Sequence, residues 1–332
     1  MNAPLVEPFQ LGDTVVQPGE KKLVELPVAR QFSGTWIKMP VTVIHGHQPG
    51  PKLWLDAAIH GDELNGVEIV RQVLQRLRPE GFRGTLLAAP VVNVFSFIQQ
   101  DRYLPDRRDL NRCFPGSTTG SLAARIAHLF LNEVVKRCDV GIDFHTGSQH
   151  RTNLPQIRAN LDDPNAFQLA KTFDAPLVFH AKPIRGTLRS AANRLDKTFL
   201  LFEGGEPHRF NRGTIRVGVR GTLKVLQALN MWDPEPDTVR TPPPLVSRTS
   251  RWVRASRSGI FSRSIGLGDR VPKKETLGEI SDPFSPVRPS VVRAPYDGMV
   301  IGYSNNPLVH QGDALVHIAK IGEVEAPLPS RS

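Results

Sequence analysis

The chain has 332 residues and a mass of 36.8 kDa, more than one domain usually holds, so a large unit with a smaller appendage is expected. Its 39% hydrophobic and 22% charged residues are those of a globular protein and exclude a fibrous repeat or a disordered polyelectrolyte. The net charge of +10 is spread along the chain, with one local excess at Arg248, Arg251, Arg254, Arg257 and Arg263 and no nucleic-acid-binding motif, so it reads as a positive field that draws in anionic substrates.

The first residues, MNAPLVEPFQLGDTVVQPGE, have no cationic start, no apolar segment and no cleavage pattern, and no later apolar run approaches membrane-spanning length. Neither export nor a membrane partner is expected. Short apolar runs then read as buried strands: VTVIH (41–45), KLWLDAAIH (52–60), GTLLAAPVVN (84–93), DVGIDFH (139–145), PLVFH (176–180) and TFLLFE (198–203). Between them, Leu64, Val67, Val70, Leu74 and Leu77 recur at helical spacing, as do Leu122, Ile126, Leu129, Phe130 and Val134. A third helix is expected over 215–232, with Val217, Leu223, Leu226 and Leu229 on its buried face. Strands alternating with helices predict an α/β sheet covered on both sides.

The segment DPEPDTVRTPPPL (233–245) cannot continue a helix or a central strand, so the boundary falls there, between units 1–238 and 239–332. Beyond it, short alternating runs punctuated by Gly, Asp and Pro read as an all-β module. Gly268-Asp269 and Gly312-Asp313 each precede a short apolar strand, a pattern similar to the barrel-sandwich fold of biotinyl and lipoyl carriers. Such carriers present a lysine at a hairpin tip, and GYSNNPLVHQGD has none, so covalent biotin or lipoate is not expected. The two cysteines, Cys113 and Cys138, match neither a metal knuckle nor a redox pair, which favours a reducing, cytoplasmic setting.

Chemistry concentrates at strand ends, where α/β sheets gather their ligand sites. His60-Gly61-Asp62-Glu63 follows the second run, and a tight turn there can bring a His nitrogen and a carboxylate oxygen to one cation. His145 ends the DVGIDFH run. Alone, a strand-end histidine is more often a hydrogen-bonded core residue; as a third ligand it would complete a site with one open position, the mark of a catalytic zinc. Asp143 is assigned to the other side of that strand, as a structural group. Glu203 ends the TFLLFE run; a carboxylate after buried apolar residues must be paired or working, which makes it the candidate general base, with Glu206 as competitor beyond the glycines. In the loop 102–116, Arg107 and Arg108 read as solvated, whereas Asn111 and Arg112 are expected to be partly buried and able to hold an anionic group. No nucleophile elbow, phosphate loop or dinucleotide fingerprint competes, and both cysteines read as bystanders.

Taken together and in order, HGDE, DLNR, DFHTG and FEGGE across 60–206 resemble the motif set of the succinylglutamate desuccinylase and aspartoacylase family, relatives of the zinc carboxypeptidases. The resemblance implies a carboxypeptidase-like mixed sheet, one zinc ion held by His60, Glu63 and His145, and Glu203 as catalytic base and acid. It further implies that Asn111 and Arg112 bind substrate, that Arg102 polarises the scissile carbonyl, and that Arg194 holds a substrate carboxylate. The expected activity is hydrolysis of a small anionic N-acyl amino acid, with acetyl or succinyl as acyl group. The alternatives are a metallocarboxypeptidase acting on peptides and a non-catalytic metal-containing binding protein. A second copy of the chain stays open as a partner.

Overall fold

The computed structural model describes residues 6–233, 242–285 and 287–321. Most of its strands join one 13-stranded mixed sheet. At the centre, Arg83–Ala89, Gln48–Ala57, Val140–His145 and Thr198–Gly205 lie parallel and in that order. Trp36–His45 and then Glu20–Arg30 extend one side antiparallel, and Arg151–Ala159 pairs antiparallel with the other side. The expected α/β class is therefore what the chain adopts.

The sheet separates two apolar layers. On one face Asn65–Arg76, Pro164–Phe173 and Arg212–Ala228 cover Leu53, Leu55, Ile142, Phe144, Leu200 and Phe202. There Phe202 meets Phe144 and Phe173 at centroid distances of 5.7 and 5.4 Å, and burying each such side chain contributes about 1.5–3 kcal/mol. On the other face, Leu122–Glu133 and Leu188–Asn193 close over Trp54, Leu87 and Phe199. Because side chains alternate along a strand, each central strand serves both layers, which is why these runs are apolar without a break.

Three sequence expectations shift. The strand expected over 52–60 ends at Ala57, since Ala58 takes a left-handed φ of 48° that no strand continues, and His60 falls in the turn beyond. The third helix runs Arg212–Ala228, and its buried stripe is Ile215, Gly218, Val219, Thr222, Val225 and Leu226; Val217 and Leu223 sit only at its margin, because the stripe is phased from 215. Arg151–Ala159 and Pro164–Phe173 were not expected as elements. The helix starts at a cap that was in plain view, Asp163 accepting from Asn165 N with Pro164 at the first turn.

The boundary placed between 238 and 239 lies outside the described residues. After it, Leu245–Ser247 pairs parallel with Leu177–His180, so this strand returns to the 13-stranded sheet. Gly298–Ser304 pairs antiparallel with Arg151–Ala159, then with Ala314–Lys320, which carries Ser250–Arg254. The turns at Gly268 and Gly312 do precede Arg270–Val271 and Ala314–Lys320. A separate four-stranded antiparallel sheet, ordered Ser290–Arg293, Thr276–Ser281, Gly259–Arg263 and Leu308–Val309, completes the C-terminal part. No helix among the described residues is long and apolar enough to cross a membrane.

Candidate metal centre

The turn after Gln48–Ala57 is held in place from below. Asn93 N donates to Ala58 O at 3.0 Å and Asn93 Nδ2 to Ile59 O at 3.0 Å, while Gly61 N donates to Asp101 O at 2.9 Å. Gly61 is required for a spatial reason: a Cβ there would lie 2.1 Å from the backbone carbon of Ser96. This close approach aims His60 and Glu63 across the sheet end at His145.

The ligating atoms of His60, Glu63 and His145 lie within 4.8 Å of one another, and all three residues are buried. His60 Nδ1 and His145 Nδ1 each donate to a different oxygen of Glu63, both at 2.8 Å, and Thr146 N donates to Glu63 Oε2 at 3.0 Å. The opposite nitrogen of each ring is also held: His60 Nε2 donates to Asp109 Oδ1 at 3.1 Å, and His145 Nε2 to Asp143 Oδ2 at 3.0 Å. Burial opposes charge on Glu63, yet the two imidazoles outweigh it and hold its carboxyl well below the usual range. Burial likewise opposes charge on both rings, and the carboxylates around them still raise each above an ordinary histidine.

This is a donor set that fits zinc. Two imidazole nitrogens and a carboxylate oxygen converge, and each ring is oriented by its own carboxylate on the far side, the arrangement that fixes tautomer and direction in histidine-ligated sites. Asp143 corrects the sequence reading: residues two apart share a face of a strand, so Asp143 and His145 project together. Asp109 was missed as well, although the DLNR motif contains it.

The triad lies in a cavity of about 220 Å³ that also takes in Glu203, Arg102, Asn111 and Arg112. Glu203 is placed by the parallel register, which sets it beside His145, and it accepts from Asn153 Nδ2 at 2.6 Å with Arg158 Nη1 at 3.3 Å. Arg102 Nη2 donates to Asp109 Oδ2 at 2.9 Å and its Nη1 stands 3.3 Å from Glu63 Oε1. Asn111 Oδ1 caps the helix Leu188–Asn193 through Leu188 N at 2.9 Å. Arg112 is exposed rather than half-buried, and its Nη1 donates to Asn111 O. Glu206 faces away, bound to Thr152 and Asn305.

Arg194 does not join these residues. It is exposed at the C-terminal end of Leu188–Asn193 and outside the cavity lining. Five residues on a helix rotate the side chain by about 140°, so the residue that faces inward is Arg189. Arg189 is 8% exposed, donates through Nη2 to Lys182 O at 2.7 Å, and has no partner for Nε or Nη1 among the described residues. Burial, then the neighbouring Arg158, lowers its pKa to about 10. Sequence reading also missed Arg151, Arg158 and Trp252 in the lining. Trp252 comes from the C-terminal part, stacked on His317 at 4.6 Å with Arg151 5.1 Å from the ring centroid on the same indole. Cys138 is buried and Cys113 half-buried; burial raises both thiols, and neither lines the cavity.

Comparison with known proteins matches residues 49–229, more than half of the chain, to the succinylglutamate desuccinylase/aspartoacylase catalytic domain. Over 313 residues the chain is 27% identical to an N-alpha-acetyl-L-2,4-diaminobutyric acid deacetylase of Halomonas elongata, covering 90% of this chain and 91% of that protein. A succinylglutamate desuccinylase/aspartoacylase structure from Rhodobacter sphaeroides is similar at a TM-score of 0.81 and 27% identity, over 91% of this chain and 96% of that one. The product-bound ectoine utilization protein EutE (DoeB) of Ruegeria pomeroyi shares the fold at a TM-score of 0.81 and 24% identity, over 96% and 99% of the two chains.

Proposed function

This chain belongs to the succinylglutamate desuccinylase/aspartoacylase family, and we propose that it is a zinc-dependent deacylase that hydrolyses the amide bond of a small N-acyl amino acid, the acyl group being one such as acetyl or succinyl. The observation that carries this reading is the buried His60–Glu63–His145 set, each ring braced by a carboxylate, sharing one small cavity with Glu203 and with Arg189, whose Nε and Nη1 have no partner among the described residues. Its relatives, the Halomonas deacetylase among them, support the reaction class.

His60, Glu63 and His145 would hold the zinc, which when bound supplies a Lewis acid and makes water acidic enough to ionise near neutrality. Glu203 takes the proton from the attacking water and returns it to the leaving amine. Asn153 and Arg158 fix its two oxygens on opposite sides, so the carboxylate meets the substrate in one orientation. Arg102, beside the ligands, polarises the scissile carbonyl, and Asn111 with Arg112 forms the rim over which substrate enters. Arg189 takes the role of carboxylate anchor expected of Arg194, since a buried guanidinium with two free N–H directions is satisfied by a carboxylate.

The lining also speaks to substrate charge. Its acidic members are committed: Glu63 to the histidines, Asp143 to His145, Glu203 to Asn153 and Arg158. A side-chain ammonium has no uncommitted carboxylate there among the described residues, so this cavity favours a substrate whose side chain is neutral or acidic over the diaminobutyrate type of the Halomonas relative, whose side chain carries an amine. At about 220 Å³, walled by Trp252, the cavity is also smaller than the ~300–1,000 Å³ of drug-sized sites and suits one metabolite better than a peptide chain.

The finer architecture belongs to the same proposal: a carboxypeptidase-type catalytic unit over 1–238, a barrel-sandwich module over 239–332 similar to biotinyl and lipoyl carriers, and a cytoplasmic enzyme. The test is zinc analysis and carboxylate release across N-acetyl and N-succinyl amino acids and dipeptides, with wild type and Glu203→Gln. About one zinc per chain, turnover of N-acyl amino acids, and loss of turnover without loss of metal in the variant support the roles. Cleavage of dipeptides alone moves the reading to a metallocarboxypeptidase, and absence of both metal and turnover to a binding protein.

A further inference from the structure

Behind His145 the sheet carries a run of polar side chains that hydrolysis itself does not use. The parallel register sets Trp54 beside Gly141 and Asp56 beside Asp143. Residues two apart share a face, so Trp54, Asp56, Asp143 and His145 form one line along the sheet surface. His145 Nε2 donates to Asp143 Oδ2 at 3.0 Å and Trp54 Nε1 donates to Asp56 Oδ1 at 2.8 Å, while Asp56 Oδ2 and Asp143 Oδ1, on neighbouring residues of the register, are buried with no other hydrogen-bond partner among the described residues. Gly141 leaves the space that the indole fills, since a Cβ there would come within 2.0 Å of Trp54 Cζ2.

Trp54 and Asp56 are fully buried and Asp143 nearly so. Two carboxyls side by side in an apolar sheet are costly unless they share a proton. No lysine or arginine pairs with either among the described residues, and His145 is the one cationic partner of Asp143. Burial and the adjacent Asp143 push the Asp56 carboxyl well above the ordinary range.

We propose that Asp56 is a positioning residue for the metal centre: anchored by Trp54, it donates the hydrogen bond that fixes the Asp143 carboxylate and, through it, the ring of His145. The inference rests on His60, Glu63 and His145 being the ligands. It reaches one residue further from the ion than the carboxylates that touch the rings, and the Trp54–Asp56–Asp143 line has no counterpart on the His60 side, where Asp109 is held instead by Arg102.

The experiment measures zinc affinity by chelator competition, and melting of the metal-free protein, in the full-length wild type, Asp56→Asn, Asp56→Leu and Trp54→Phe. Asn keeps an acceptor for the indole and a donor for Asp143, so its zinc affinity stays within about threefold of wild type. Leu removes both and keeps only the branched outline, its methyls being bulkier than carboxyl oxygens; zinc affinity falls about tenfold or more, the scale of losses when outer partners of a ligand are removed. Its metal-free melting temperature falls, since the buried Trp54 N–H loses its acceptor, and melting is read beside affinity to show that the variant assayed is folded. Trp54→Phe gives a loss between these two. Leu binding zinc as tightly as wild type, or Asn weakened as much as Leu, overturns the inference. Should Asp56→Leu fail to fold, unchanged affinity in Trp54→Phe overturns it equally. A wild type that binds no zinc removes the ligand reading, and this inference with it.

Discussion

His317 makes the stability of this protein fall in mild acid, and the size of the effect follows from its surroundings. The ring is 8% exposed, shares one hydrogen bond with Ser250 Oγ at 2.8 Å, and has no partner for Nδ1 among the described residues. Burial, then the charges of Arg158 and Arg151, lower its pKa from 6.5 to about 3. An unfolded chain binds a proton here below 6.5, whereas the folded chain refuses it until about 3, so stability present above 6.5 is lost as the pH falls through that window. The slope is about 1.4 kcal/mol per pH unit, hence about 2 kcal/mol between neutrality and about pH 5. Replacing His317 with Gln removes the titration and keeps a group able to bond Ser250. Urea unfolding of both proteins near neutrality and at about pH 5 reads the difference: the wild type should lose about 2 kcal/mol more than His317→Gln over that interval. Parallel losses in the two proteins would refute the argument, because every other titrating group is common to both.

Glu203→Gln is expected to lower kcat about 10²–10⁴-fold with zinc content unchanged by metal analysis, the scale of a lost general base. Arg189→Met should raise KM and reduce kcat/KM by about 10–100-fold for a carboxylate-bearing substrate, whereas Arg194→Met stays within about twofold; equal losses in the two would show that the cavity is not anchored through Arg189. Native protein treated with iodoacetamide near neutrality should keep its activity, because burial raises the thiols of both Cys113 and Cys138 and leaves little thiolate to react.

The parts of the site that were legible in the sequence are those made by local chain geometry. An apolar run that stops at a His or Glu marks a strand end facing a ligand site, so His60, Glu63, His145 and Glu203 could be picked out and the structure brings them into one cavity. Arg189 was not legible because its place in the cavity depends on which way a six-residue helix faces, and the family resemblance pointed to Arg194, which lies outside the cavity lining. Arg151–Ala159 escaped because Asn153 and Arg158 find their partner, Glu203, on a neighbouring strand, and a one-dimensional pattern shows only that the segment is not apolar. Trp252 escaped for the same reason over a longer range, since Ser250–Arg254 reaches the cavity only through Ala314–Lys320 and Gly298–Ser304.

The route by which Trp252 arrives has a consequence for synthesis. Every candidate ligand and the candidate general base have left the ribosome once Glu203 has, and Arg212–Ala228 then completes the helical cover. Trp252 follows within Ser250–Arg254, but Ala314–Lys320, the strand that pairs with it and carries the ring of His317, emerges more than a hundred residues after Glu203. A nascent chain therefore presents these side chains without the Trp252 wall for several seconds of translation, at the ~5–20 residues per second typical of synthesis, and the cavity gains its last wall only when the final strands pair onto the sheet edge.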